Sequence, residues 1–502
     1  MKTTLVHLHS WDRQSEDRAN LFHRIEHPCA LLNRDGRFEA TGISSGHPDA
    51  PAMAYAADIL VLHVQHDMAL EAVIDWRREH GKATLYEIAD DMSAPAPWRK
   101  KPRRSPLILS DCFHLASRCA GSQFSSAALE RKYAILSSCR QVLPNLIEIP
   151  ARLPKKPPGF TVGWAGTRSH REDLRPMVRM LRDLLHRRPE IQLALKGDLE
   201  MLHELFGELP ADQLRFEDFG SPASYEAFLH TLHVGLIPLT ATAFNAGRTD
   251  VKLFEYAAAG IAAVVQGSSA YAPHLKEVLC FHDLQELETI LEKLYLDPEE
   301  LHAERERCHS YALARNGFAS GIEQHAAWYL SHAPSPENRI TLPAQTPEAI
   351  KAMEAFHRLM ERDLKSEANL EEALRTLDRY PNYLQLRLLV VRVLVATWRL
   401  PEAIARVRPL LASMYRDRVL MIALSLASTS EQERLRGYLR SASGRARSIP
   451  FQRENPSAFA WQVLRDVPFD YFSLMLCSRV PPTDLSEAQR QEIQQKVALF
   501  SG

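Results

Sequence analysis

The chain has 502 residues, of which 45% are hydrophobic and 25% charged, with a formal net charge of -1. That is the make-up of an ordinary globular protein of about two to four domains, and the charge balance excludes the global positive field of a nucleic-acid binder. No apolar run is long enough to span a bilayer, and the opening MKTTLVHLHSWD turns polar too soon for a signal peptide. Seven cysteines without a CxxC pair fit reduced thiols in a cytoplasmic setting. Cys112 and Cys119 read as small core residues rather than metal ligands.

Residues 1–150 alternate strand and helix signals. Thr4–Leu8 and Asp58–Val64 read as strands, Leu70–His80 as a helix stopped by Gly81, and Ala83–Ile88 as the next strand. Strand, helix and strand at this length make a βαβ unit, so the predicted sheet is parallel and ligands belong beyond the carboxyl ends of its strands. Asp90 and Asp91 stand at such an end. Neighbours on a strand end point apart, so they read as a loop cap or as groups that orient a bound ligand, not as a paired acid–base dyad or a metal-binding pair. His7, His9 and His114 read as polar or core histidines, with a place facing the cleft as the alternative. The basic loop SAPAPWRKKPRRSP follows, either a solvated loop or a grip on an anionic acceptor or a membrane headgroup. Residues 107–140 are predicted mostly helical, and the proline-rich ARLPKKPPGF marks a domain boundary after residue 150.

Residues 151–333 repeat the alternation. Strands are predicted at Phe160–Ala165, Ile191–Lys196, Leu214–Phe219 and Val234–Pro238, with helices at Asp173–His186 and Ser224–Leu232. Two Rossmann-like α/β domains joined by a linker imply a cleft between them, a common place for ligands. After about Pro334 strand signals largely disappear, and 345–502 reads as an all-α domain. EEALRTLDRYP and PEAIARVRPLL resemble each other at a TPR-like spacing, and a non-repeat bundle fits nearly as well. The tail helix is predicted over Leu485–Phe500, capped by Asp484.

Within the second half, Phe244–Gly267, FNAGRTDVKLFEYAAAGIAAVVQG, joins a glycine-containing turn, a helix and the strand Ile261–Val265. Gly247 suits a positive-φ turn or a close backbone approach to a ligand. Thr249 or Asp250 suits the helix cap, and a helix N-terminus suits a phosphate. Lys252 and Glu255 share a helical face. These residues fit a nucleotide-sugar site and equally a capped helix with a surface ion pair.

VGWAGTRSHREDL and, further on, VGLIPLTATAFNAGRTDVKLFEYAAAGIAAVV resemble the second domain of GT-B glycosyltransferases, most closely the retaining family four group. Ala262 stands where the G-x-P-V-V pattern has proline. DILVLHV…REHGKATLYEIADDM resembles the first domain of part of that group, and Leu143–Asn145 resembles its hinge entry. The resemblance covers about residues 55–330 and stops short of the last third.

It implies transfer of a sugar from a UDP- or GDP-linked donor to a protein, glycan or lipid-linked acceptor hydroxyl, with retention and without a metal or other cofactor. Arg168, Lys252 and Glu255 are the implied catalytic set: Arg168 and Lys252 on the diphosphate, Glu255 on the ribose hydroxyls. Gly163, Gly166 and Thr167 line the implied phosphate turn, while Asn245, Gly247 and Thr249 face the sugar or phosphate, with backbone N–H groups offered by 245–247. Many members carry a second glutamate where this chain has Gly247, which leaves sugar recognition open. The last third would recruit an acceptor or protein partner, or self-associate, and a peripheral membrane location stays open. The competing readings are a non-catalytic GT-B-like binding module and a nucleotide-sugar epimerase or a phosphorylase.

Overall fold

The computed structural model describes residues 2–10, 18–47, 49–67, 70–94, 106–315, 317–335, 347–360, 366–381, 384–397 and 486–500, with scattered positions between 399 and 478. Most of the basic loop (95–105) and the second half of the suggested repeat (407–411) lie outside the described residues.

Two parallel six-stranded sheets organise the molecule. The first contains β1 (Thr3–His9), β2 (Phe38–Ser44), β3 (Ile59–His63), β4 (Ala83–Ile88), β5 (Gly121–Phe124) and β6 (Arg140–Val142), in the order β2-β1-β3-β4-β5-β6. The second contains β7 (Phe160–Gly166), β8 (Ile191–Gly197), β9 (Leu214–Asp218), β10 (Val234–Ile237), β11 (Ala262–Gln266) and β12 (Leu279–Phe281), in the order β12-β11-β10-β7-β8-β9. This is the expected GT-B arrangement of two Rossmann-like domains.

Strands covered on both faces must be apolar in both directions. In the first sheet Val6, Leu8, Leu60 and Leu62 pack into one core with Met53, Ile74 and Phe113. Leu5, Ile59, Val61 and Leu85 face the opposite core. β2 and β5 were not anticipated, and β5 interrupts the span predicted mostly helical. Its GSQF sequence has no apolar pattern because Gln123 is buried through hydrogen bonds, to Glu87, the Tyr329 hydroxyl and the Trp328 indole.

In the second sheet Val162, Trp164, Leu193 and Leu236 share a core with Leu181 and Leu184. On the opposite face Leu253 and Tyr256 pack with Phe228 and Leu232. β7 and β10 meet at Gly163↔Gly235. A Cβ at Gly235 would stand 2.3 Å from the Tyr256 ring, and one at Gly163 2.3 Å from Leu232. The bare pair lets neighbouring side chains lie directly on the sheet.

The domain limits need correction. Residues 318–333 were assigned to the second domain, yet the helix Phe318–Leu330 packs Ala326, Trp328 and Tyr329 into the first domain's core. The all-α region is not wholly separate either. The helices Pro347–Met360, Glu367–Arg379 and Leu384–Ala396 pack on one another. By contrast Phe469, Leu474, Ile493 and Phe500 return to the first domain. Phe500 lies 5.1 Å edge-on to Phe113, and full burial of such a side chain is worth about 1.5–3 kcal/mol. The tail helix, Glu487–Ala498, is capped by Ser486 in a capping box with Gln489; Asp484 lies outside the described residues.

Candidate active site at the interdomain cleft

The carboxyl end of β7, α1 (Ala243–Ala246) and α2 (Val251–Ala258) stand beside the seam between the domains, where Ser126 meets Gly247 and His23 meets Glu255. Asp173, 3% exposed, organises this rim. Its Oδ1 accepts from the Thr240 amide (2.9 Å), the Thr240 hydroxyl (2.5 Å) and the Asn245 amide nitrogen (3.0 Å), and its Oδ2 lies 2.9 Å from His170 Nδ1. Burial works against the Asp173 charge, but these hydrogen bonds outweigh it and hold the carboxyl below its ordinary value. Burial pushes His170 down to about 4 against the pull of Asp173.

Lys252 and Glu255 do share one face of α2. Lys252 Nζ donates to the Ala165 carbonyl at the end of β7 and stands 5.2 Å from the Trp164 ring centre. Burial, opposed by Glu255, pushes the ammonium down to about 8. Glu255 accepts from the Tyr225 hydroxyl at 2.8 Å, and its other oxygen lies 3.1 Å from His23 Nε2 of the first domain. Burial opposes the Glu255 charge; hydrogen bonds from His23 and Tyr225, with Lys252 nearby, prevail and keep it low.

Arg168 is not brought into this group. Its guanidinium pairs with Glu200 at 3.0 Å and Asp198 at 3.7 Å, and 43% of its side chain is exposed. The cation on the cleft side is Arg248, to which the sequence reading gave no role. Arg248 lies 3.5 Å from Asp90, donates to Ser169 Oγ at 3.2 Å and covers the Phe244 ring at 4.7 Å. Arg248 lies in the loop between α1 and α2, where helical spacing gives no signal.

The remaining expected residues divide. Gly166 ends β7, and Thr167 bonds Ser169 Oγ at 2.6 Å, both beside the rim. Gly163 lies inside β7 under Leu232, so its bareness serves packing rather than a phosphate. The Asn245 backbone N–H is already given to Thr242 Oγ at 3.1 Å and its side chain to Asp173, which removes it as a sugar donor. Gly247 has φ -83, not a positive value. What approaches it closely is the first domain: a Cβ there would stand 2.9 Å from Leu129, and Ser126 Oγ donates to its carbonyl at 3.1 Å. Asp250 takes the N-cap position of α2 but makes no side-chain capping hydrogen bond. Thr249 accepts from Asn145 at 3.1 Å, and Asp250 pairs with His274 at 3.0 Å.

Asp91 is a loop cap. It accepts from the Tyr133 hydroxyl (2.7 Å), Lys132 (2.7 Å) and the amides of Ser93 and Ala94. Asp90 faces the cleft through Arg248 and Asn20. His7 is fully buried, 2.8 Å from His63, and His114 is buried beside Glu71.

Residues 171–325 match the family model described as glycosyl transferase-like. The matched stretch holds Asp173, Tyr225, Asn245, Arg248, Lys252 and Glu255, so this part of the second domain is similar to that family, in keeping with the resemblance carried by its motifs. No curated protein matches the chain. Similar solved structures include HepE of Anabaena in complex with UDP and glucose, at 14% identity over 66% of this chain and 100% of that one, TM-score 0.46. TarM of S. aureus shares 8% identity over 54% and 55%, TM-score 0.40. A UDP-forming trehalose-phosphate synthase of Burkholderia xenovorans shares 12% over 65% and 98%, TM-score 0.43.

Proposed function

We propose that the protein transfers a sugar from a nucleoside diphosphate donor, UDP- or GDP-linked, to an acceptor hydroxyl with retention. The observation that supports it best is the shared face of α2, where Lys252 meets the end of β7 and Glu255 stands beside it. A cation for a diphosphate and a carboxylate for ribose hydroxyls are held at the carboxyl ends of parallel strands, where such ligands bind.

In the reaction the bond between the anomeric carbon and the diphosphate oxygen breaks, and a bond to the acceptor oxygen forms on the same face. The diphosphate leaves with the electron pair, and the acceptor proton passes to it. Lys252 and Arg248 stabilise the charge that develops on the leaving group, each charge-assisted contact worth about 1.5–3 kcal/mol. With two side-chain cations at the rim, the counter-charge comes from the protein rather than from a metal. Arg248 takes the role first given to Arg168.

The acceptor belongs on the first domain's side of the cleft, near Asp90. The helices after residue 345 add a surface for acceptor recruitment or assembly. No helix among the described residues is long and apolar enough to cross a membrane. Calorimetric titration with UDP and GDP, followed by a panel of sugar nucleotides read by mass spectrometry, tests the proposal. One nucleoside diphosphate should bind and its sugar conjugate should be consumed; no heat with any common nucleoside diphosphate would overturn it.

A further inference from the structure

The first domain places a side chain on the carboxylate assigned to the ribose. His23 lies in a π-helical turn, Phe22–Glu26, between the helical segments Arg18–Leu21 and His27–Asp35. Such wide turns are rare and are frequently found at functional sites. His23 Nε2 stands 3.1 Å from Glu255 Oε1, and both side chains are 12% exposed. An ionised carboxylate can only accept, so Nε2 carries the hydrogen and donates it. Nδ1 is buried without a hydrogen-bond partner.

The two donors to Glu255 differ in one respect. Tyr225 belongs to the same domain and moves with it. His23 belongs to the other domain, so its contact bridges the two domains. Its neighbour Arg24 is locked on Glu87 at 2.6 Å, on the Leu143 carbonyl at 2.8 Å and on Asn145 at 3.0 Å. Behind it, Ile25 packs so tightly on β2 that a Cβ at Gly42 would stand 2.4 Å away. His23 therefore rides on a rigid element, and the angle between the domains sets its distance to Glu255. Asn145, at the hinge, continues the connection to Thr249 in the loop before α2.

We propose that His23 is a gate on the donor site: it gives Glu255 Oε1 the hydrogen bond that a ribose hydroxyl of a nucleoside diphosphate would otherwise supply, so the nucleotide enters by displacing it. This inference rests on the reading of Glu255 as the ribose acceptor. Closure without donor is stabilised by His23, and donor binding competes with it. His23 is a positioning residue in this scheme; it makes no bond to the reacting atoms.

The test titrates UDP and GDP into wild type, His23→Ala and His23→Gln by calorimetry, and measures each protein without nucleotide by small-angle scattering. The glutamine amide retains a donor at similar reach. His23→Ala should bind the nucleotide at least threefold more tightly and show a larger radius of gyration, while His23→Gln should match wild type in both. Tightening in the alanine protein alone supports the gate. Equal affinity in all three, or weaker binding in His23→Ala, overturns the gate and leaves the transferase reading standing. A radius unchanged in His23→Ala also overturns it. No binding in any of the three overturns the transferase reading itself, and the gate with it.

Discussion

The two sheets share a topology class but treat charge at their carboxyl ends in opposite ways. Below the first sheet's end, Glu87 is fully buried and saturated. Arg24 pairs with one oxygen at 2.6 Å, Gln123 bonds the other, and Trp328 and Tyr329 hold Gln123 in turn. At the second sheet's end, Lys252 bonds a neutral carbonyl and lies against an aromatic face, with Glu255 the carboxylate nearby, and Arg248 holds Asp90 at a loose 3.5 Å. A charge network closed on itself fixes structure; cations with weak partners remain available to an anion. The same residue types thus serve stability in one domain and ligand binding in the other.

The largest expected effect breaks the closed network. Glu87→Ala leaves Arg24 buried without its counter-charge, which should cost about 3–5 kcal/mol, read as a lower midpoint in chemical unfolding. At the other rim, Lys252→Ala and Arg248→Ala should each weaken nucleoside diphosphate binding tenfold or more, about 1.4 kcal/mol, with unfolding midpoints near wild type. A large loss of stability in Lys252→Ala, with unchanged nucleotide affinity, would erase the contrast between the two sheets.

Legibility in the sequence follows the same contrast. β3, β4 and β7 were readable because an apolar run or alternation is a local signal. β5 was not, since Gln123 is accommodated by Glu87, Trp328 and Tyr329, partners distant in sequence. The Lys252 and Glu255 face followed from helical spacing. His23 could not be found that way, because its partner lies in the other domain. Gly247 was read as a turn or as a lost glutamate. Its bareness also makes room for Leu129 of the first domain, a steric reason visible only once the domains meet.

Protonation offers a gentler way to separate the regions. His325 is buried in the first domain and pushed down to about 4, first by burial and then by Arg24. The unfolded chain therefore binds a proton that the folded one refuses between the ordinary histidine value and about 4, and stability should fall as pH drops through that window. His325→Asn should flatten the acid limb of a plot of unfolding midpoint against pH. Lys252 acts at the other end of the scale. With its ammonium pushed down to about 8, nucleotide affinity should decline as pH rises through about 8, and Lys252→Arg should remove that decline because guanidinium stays charged. A decline that persists in the arginine protein would assign it to another group.

The smallest effect is the sharpest check on which cation serves the donor. Arg168 was the expected phosphate ligand by motif, yet its guanidinium points to Glu200 and Asp198 and is 43% exposed. Exposed pairs of this kind contribute little, because water screens them. Arg168→Ala should therefore change nucleotide affinity by less than about twofold and leave the unfolding midpoint near wild type, in the same calorimetric and unfolding measurements that register Arg248→Ala. A tenfold loss in Arg168→Ala would mean that donor binding pulls Arg168 away from Glu200, and that the rim rearranges on binding instead of being built in advance. The double variant Arg168→Ala/Glu200→Ala distinguishes the two: if Glu200 merely restrains Arg168, the single variant Glu200→Ala should bind nucleotide more tightly than wild type, and adding Arg168→Ala should cancel the gain.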